Sequence, residues 1–209
     1  MERQNGAFKW SESHNSRFKL SKFTLLDFHY NTSTERRPLK LCNTTIASSW
    51  TQKFLGIVID QTLCWNVQAA HALSKGTAYI MQISCISSAN KGLPATLLKH
   101  LYLAVAIPKM LYAIDVWCTP PYSFDKTKKT RGSLSVIMRI NHVQRQALTT
   151  ITGVFCTTAT DVLEIYTNTL PIEHHIQNLC HQAAIRIASH PPSHPLHSCT
   201  QKAAARMVK

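Results

Sequence analysis

The sequence predicts an α+β chain that is mostly α, with a small β-rich region at its N-terminal end. Three observations carry that expectation. The first 60 residues hold alternating or β-branched apolar runs. Beyond Asp60 the apolar residues recur at spacings of three and four. Proline and glycine then fall where helices of that period would start, break or stop.

Residues 1 to 16 read as polar and irregular. From Arg17 to Tyr30 the chain reads as extended, because Phe18 and Leu20 alternate, as do Leu26, Phe28 and Tyr30. Residues 31 to 38 are a loop, and Leu39 to Ile46 is a short strand. Phe54 to Ile59 is an apolar, partly β-branched run that reads as one buried strand closed by Asp60.

After Asp60, Ala69, Leu73, Gly76, Ile80 and Ile83 mark one face of a helix. Pro94 suits the start of the next, whose stripe is Leu97, Leu101 and Val105. Pro108 should kink or split that helix, since it lacks a backbone donor. Met110 to Trp117 would continue as a second helical piece. Residues 119 to 133 form a loop. Val136, Ile140, Val143, Ala147 and Ile151 mark a further helix with Gly153 as its C-terminal cap. Thr158 and Asp161 have the spacing of a capping box. Pro171 opens the last long helix, striped by Ile172, Ile176, Leu179, Ala183 and Ile187. The Pro- and His-rich text from His190 suggests an extended linker, followed by a small basic helix.

The chain carries 23 Lys and Arg against 10 Asp and Glu, a net charge of +13, while hydrophobic residues make up 44%. The apolar share permits a core, and the charge points to a polyanionic partner, nucleic acid before a membrane surface. No membrane span is expected, because the most apolar stretch, Leu101 to Trp117, is broken by Pro108, Lys109 and Asp115. Met1 to Gly6 has no apolar signal run, so the expected location is nucleus or cytoplasm. The seven cysteines are scattered without a CxxC pair, which suggests reduced thiols.

The shortage of acids excludes more than the excess of bases implies. No two carboxylates are adjacent, and Asp161/Glu164 is the one close pair. There is no GxSxG, P-loop or GxGxxG, and the isolated glycines build no phosphate cradle. Six histidines lie between His174 and His197, but two prolines separate His190 from His194, so no metal site is expected. A His-containing linker beside a polar helix face explains them better. No small-molecule substrate is indicated. The basic stretch Lys126, Lys128, Lys129 and Arg131, with Arg139 and Arg145 beyond it, could neutralise several phosphates; a solvated loop is the alternative.

Lys53–Asp60, Leu101–Ala113, Asp115–Trp117, Val143–Thr160 and Leu170–Glu173, taken in order, resemble segments of the reverse transcriptases of non-LTR (LINE-like, jockey-type) retrotransposons. Lys53-Phe54-Leu55-Gly56-Ile57-Val58-Ile59-Asp60 resembles their K-Y/F-L-G-V-x-x-D segment. Leu101-Tyr102-Leu103-Ala104-Val105 through Pro108 to Ala113 resembles LY-x-A-V-x-x-P-x-x-x-Y-G/A, and Asp115-Val116-Trp117 resembles the E/D-V-W after it. Val143-Gln144-Arg145-Gln146-Ala147-Leu148, Ile151-Thr152-Gly153 and Thr157-Thr158-Ala159-Thr160 resemble V-Q-R-x-A-L-x-x-I-T-G-x-x-x-T-T-P/A-T. Leu170-Pro171-Ile172-Glu173 resembles L-P-x-E. The order and spacing agree from about residue 12 to 197.

The resemblance implies the end of a palm with a primer-grip segment over 1–60, a helical thumb and connection over 61–190, and a linker with a basic tail over 191–209. It implies a primer grip at Phe54, Leu55 and Gly56, where a tight hairpin holds the primer terminus. It implies a palm lysine at Lys22, placed toward the phosphates of an incoming nucleotide. The catalytic set is missing, since no Asp-Asp or Asp-x-Asp occurs. The expectation is therefore a mobile-element polymerase fragment that is inactive alone and binds no cofactor itself. Mg²⁺ would belong to the absent palm. The expected partners are an RNA–DNA hybrid or DNA and the missing palm and fingers. The alternatives are a non-functional remnant or a stand-alone basic helical nucleic-acid-binding module.

Overall fold

A computed structural model describes residues 1, 3–4, 6–28, 38–41, 43–87, 92–122 and 132–207, with side chains described as far as Lys202. The fold class is mostly helical α+β, with two small two-stranded sheets. The chain divides into two compact units, Met1–Gln68 and Ala69–Lys209.

The first unit opens with a helix where an irregular segment was expected. Helix α1 spans Ala7–Ser13 and carries neither a side-chain cap nor an acid in its first turn, so it leaves no terminal signal in the sequence. Phe8 meets Phe18 edge-on, with ring centroids 5.8 Å apart. The expected extended run from Arg17 is interrupted by a 3₁₀ turn, Leu20–Lys22. The expected strand from Leu39 to Ile46 is a hairpin: β1, Leu39–Leu41, pairs antiparallel with β2, Thr44–Ile46.

The expected buried strand from Phe54 to Ile59 is also a hairpin. Strand β3, Thr51–Phe54, turns back into β4, Ile57–Asp60, with Phe54 opposite Ile57. Leu55 and Gly56 both have positive φ, 47° and 87°, as a two-residue type I′ turn requires. A leucine at that position hides the turn, because Asn or Asp before glycine is the usual signature.

Asp60 joins this hairpin to helix α2, Asn66–Ile86. Its carboxylate accepts from Thr62 Oγ1 at 2.6 Å and from the backbone N–H groups of Cys64 and Trp65, each at 3.0 Å. Burial pushes the Asp60 carboxyl up, but these bonds together pull it below the usual carboxylate value. Gln61 Nε2 donates to Ser48 Oγ and Ser49 O, and Val58 N donates to Gln68 Oε1 at 2.8 Å.

In the second unit, the predicted stripe of α2 is buried at every position: Ala69, Leu73, Gly76, Ile80 and Ile83. Gly76 lets Met110 pack closely on α2: a Cβ there would stand 2.5 Å from Met110 Sδ, which would have to shift. Helix α3, Ala95–Leu101, begins after Pro94, passes through a π segment, Tyr102–Ala106, and resumes as α4, Ile107–Met110. Ile107 N–H donates back to Tyr102 O, the five-residue step of a π-bulge. Pro108 sits in the first turn of α4, where its missing donor is tolerated.

The stripe of this helix lies one residue further on than the sequence suggested. Leu98, Tyr102 and Ala106 are buried, whereas Leu97 and Val105 are exposed. The expected continuous piece from Met110 to Trp117 is broken at Ala113, which has a left-handed φ of 51° and precedes the short α5, Ile114–Trp117.

Helix α6, Leu134–Thr152, is the centre of this unit and ends at Gly153 in the left-handed conformation, as its sequence predicts. It packs on α7, Thr160–Thr167, and on α8, Ile172–Ala188. The capping box expected at Thr158 is absent. Ala159 is the N-cap of α7, and no side chain caps it. On α8, Ile172, Ile176 and Ala183 are buried, but Leu179 is exposed. Helix α9, His197–Met207, packs against α8. No helix among the described residues is long and apolar enough to cross a membrane.

Candidate nucleic-acid interface

The residues expected to grip a primer stand together at one hairpin tip. Phe54 is 62% exposed and Leu55 75% exposed, with the exposed Lys53 just before them. Placing Leu55 at a left-handed φ costs about 1 kcal/mol against glycine or asparagine. The chain thus displays two large apolar side chains at a tight turn, one of them at a position that stability alone would fill with glycine or asparagine.

Lys22 is exposed at the end of the 3₁₀ turn rather than on a strand, and its backbone N–H donates to Lys19 O at 3.0 Å. Lys126, Lys128, Lys129 and Arg131 lie outside the described residues. The base of their loop is described, and it is tied. Thr119 N donates to Ser133 Oγ at 3.1 Å, and Ser133 N donates to Thr119 O at 2.9 Å. Gly132 beside this clamp has a φ of +121°, and a Cβ there would stand 2.7 Å from Pro120 O.

The two helix-borne arginines differ in surroundings. Arg139 is exposed on α6. Arg145 is half-buried: Nη1 donates to Thr160 Oγ1 at 2.8 Å and Nη2 to Cys156 O at 2.6 Å. Both acceptors are neutral, so the guanidinium is held rigidly by groups that do not cancel its charge.

Beside Arg145 lies a buried polar network that the apolar spacing of α6 does not announce. Gln144 is fully buried. It accepts from Tyr102 Oη at 3.1 Å and donates to Glu164 Oε1 at 2.8 Å and Leu170 O at 3.3 Å. Burial, followed by the nearby Glu164 charge, raises the Tyr102 phenol well above its usual range, so it stays protonated and donates. The one available signal was a glutamine next to Val143 in an apolar stripe.

Asp60 is engaged at the start of α2, and Glu164 accepts from Gln144. Asp161, Glu164 and Glu173 line one cavity of about 480 Å³, but no group of three or more His, Cys, Asp or Glu among the described residues could hold a metal. His190 and His194 stack face to face, with centroids 3.9 Å apart. Burial lowers the pKa of His175, whose Nε2 is buried without a partner among the described residues.

No family model, curated protein or solved structure matches the chain.

Proposed function

We propose that the chain is the primer-template-holding part of a retrotransposon-type reverse transcriptase, gripping an RNA–DNA hybrid or DNA without polymerising it. The observation that carries the reading is the hairpin tip. Phe54 and the left-handed Leu55 project from a turn bearing Lys53, at the residues that resemble a primer grip. Exposed apolar side chains on a tight hairpin can bear on a terminal base pair, while nearby cations hold the backbone. The net charge of +13 supplies the polyanion attraction.

In this reading Lys126, Lys128, Lys129, Arg131 and Arg139 contact phosphates, and Lys22 approaches the backbone near the primer end. Any catalysis, with its Mg²⁺, belongs to palm and fingers contributed by other polypeptide sequence. The test is hybrid affinity against salt. Affinity should fall steeply between about 50 and 200 mM salt, and should collapse when Lys126, Lys128, Lys129 and Arg131 are reversed to glutamate. Affinity insensitive to both changes would sink the proposal.

A second reading, a remnant whose apolar surface lacks its partner, is favoured by α7. There Val162, Ile165 and Tyr166 are 52%, 80% and 77% exposed at helical spacing. The genomic DNA upstream separates the two: an open frame encoding a Y/F-x-D-D loop favours the enzyme part, and stop codons favour the remnant.

A further inference from the structure

We infer that the groove between α2 and α6 seats a phosphodiester and its sugar or base from a single nucleic-acid strand, with Arg145 as the phosphate contact. This rests on the nucleic-acid reading above and assigns it a second site, built from residues of Ala69–Lys209.

The groove encloses about 560 Å³ and lies wholly within the helical unit. That volume is of the size that accepts a nucleotide-sized group and exceeds what a lone phosphate needs. Although the groove is lined by ten residues, none is Asp or Glu. Its one permanently charged side chain is Arg145, oriented by Cys156 O and Thr160 Oγ1. A guanidinium has five N–H donors, and those two bonds leave three for a ligand. An oriented, uncompensated guanidinium in an acid-free groove favours an oxyanion, because the ordering cost is already met by the fold.

The rest of the lining suits the remainder of a nucleotide. Thr77 and Ser84 on α2 offer hydroxyls to a sugar or phosphate. Ile80 is buried in the floor, while Met81 beside it is 66% exposed and offers a polarisable surface to a base. The groove is partly open to solvent rather than a closed chamber, which suits one unit of a strand. The charge of +13 favours a polyanion over a free nucleotide.

Cys156 supplies a native probe that needs no substitution, since it lines the groove and is exposed. The full chain is mixed with a single-stranded DNA of about 12 nucleotides. Affinity is read by fluorescence anisotropy, and alkylation of each cysteine is followed by peptide mass spectrometry. The strand should slow alkylation of Cys156 while leaving Cys64 and Cys199 unchanged. The Ser84→Asp, Gln146→Glu double variant places two carboxylates in the groove without touching the partners of Arg145. It should weaken strand binding by about tenfold or more, through like-charge repulsion of the phosphate.

Unchanged Cys156 alkylation, or unchanged affinity in the double variant, overturns the inference. If that binding still falls with salt and with reversal of the 126–131 bases, the nucleic-acid reading survives without this groove. If no strand binds at all, the inference fails, and a hybrid that also fails to bind removes the nucleic-acid reading with it. Adenosine monophosphate at equal phosphate concentration is the other arm. Equal protection of Cys156 by the mononucleotide would assign the groove to free nucleotides and overturn its assignment to a strand.

Discussion

Among the described residues, Met1–Gln68 buries Leu41 and Ile46 as its apolar side chains, whereas Ala69–Lys209 buries twenty-four. In the first unit the other buried side chains are polar: Ser11, Asp60, Gln61 and Gln68. Its order is therefore set by hydrogen bonds at hairpin ends and at the start of α2. The second unit is set by an apolar core with one polar network inside it. The difference suits the proposed division of labour, in which a light, exposed hairpin meets the nucleic acid and a dense helical body carries the charge. It also means that mutations should act on one unit without the other.

The largest expected effect is in the dense unit. Gln144→Ala opens a cavity and strands the buried Tyr102 Oη, for a loss of about 2–4 kcal/mol. Thermal melting followed by circular dichroism should show it, while amide exchange in β3 and β4 stays as in the wild type. Equal loss of protection in β3 and β4 would break the comparison.

Asp60→Ala should cost the light unit about 1–3 kcal/mol, by removing the acceptor for Thr62, Cys64 and Trp65. Because the Asp60 pKa is lowered in the fold, its contribution is present above the unfolded value of 3.8 and is lost as pH falls through the folded value. Protection of the Cys64 and Trp65 amides, taken relative to their intrinsic exchange rates at each pH, should therefore fall below about pH 4 in the wild type and stay flat there in the variant.

The smallest effect has the opposite sign. Leu55→Asn puts a residue suited to left-handed φ before Gly56 and should stabilise the hairpin by about 0.5–1 kcal/mol. The same change should weaken hybrid binding. A hairpin both more stable and equally tight-binding would show that Leu55 is not held there for contact.

Where one helix face is apolar and the other polar, the sequence was easily read: all five stripe residues of α2 are buried, and Gly153 caps α6. The α3 register was not legible, because Leu97–Leu98, Leu101–Tyr102 and Val105–Ala106 offer two adjacent apolar rows. The buried partner Gln144, 42 residues away, settles which row turns inward. The β3–β4 turn was hidden by a leucine in place of a turn residue, and α1 by its uncapped end. The residue set of the hairpin tip was legible through a resemblance alone. The anchoring of Arg145 was not, because its acceptors lie on a loop and a helix start that no short spacing connects to it.

The most direct test of the grip is a cross-link from the primer itself. An RNA–DNA hybrid carrying a photoreactive group at the primer 3′ end is bound to the full chain, irradiated and digested for mass spectrometry. The account predicts adducts concentrated on residues 53–56. Adducts confined to residues beyond Gln68, with the hairpin tip unmarked, would contradict it.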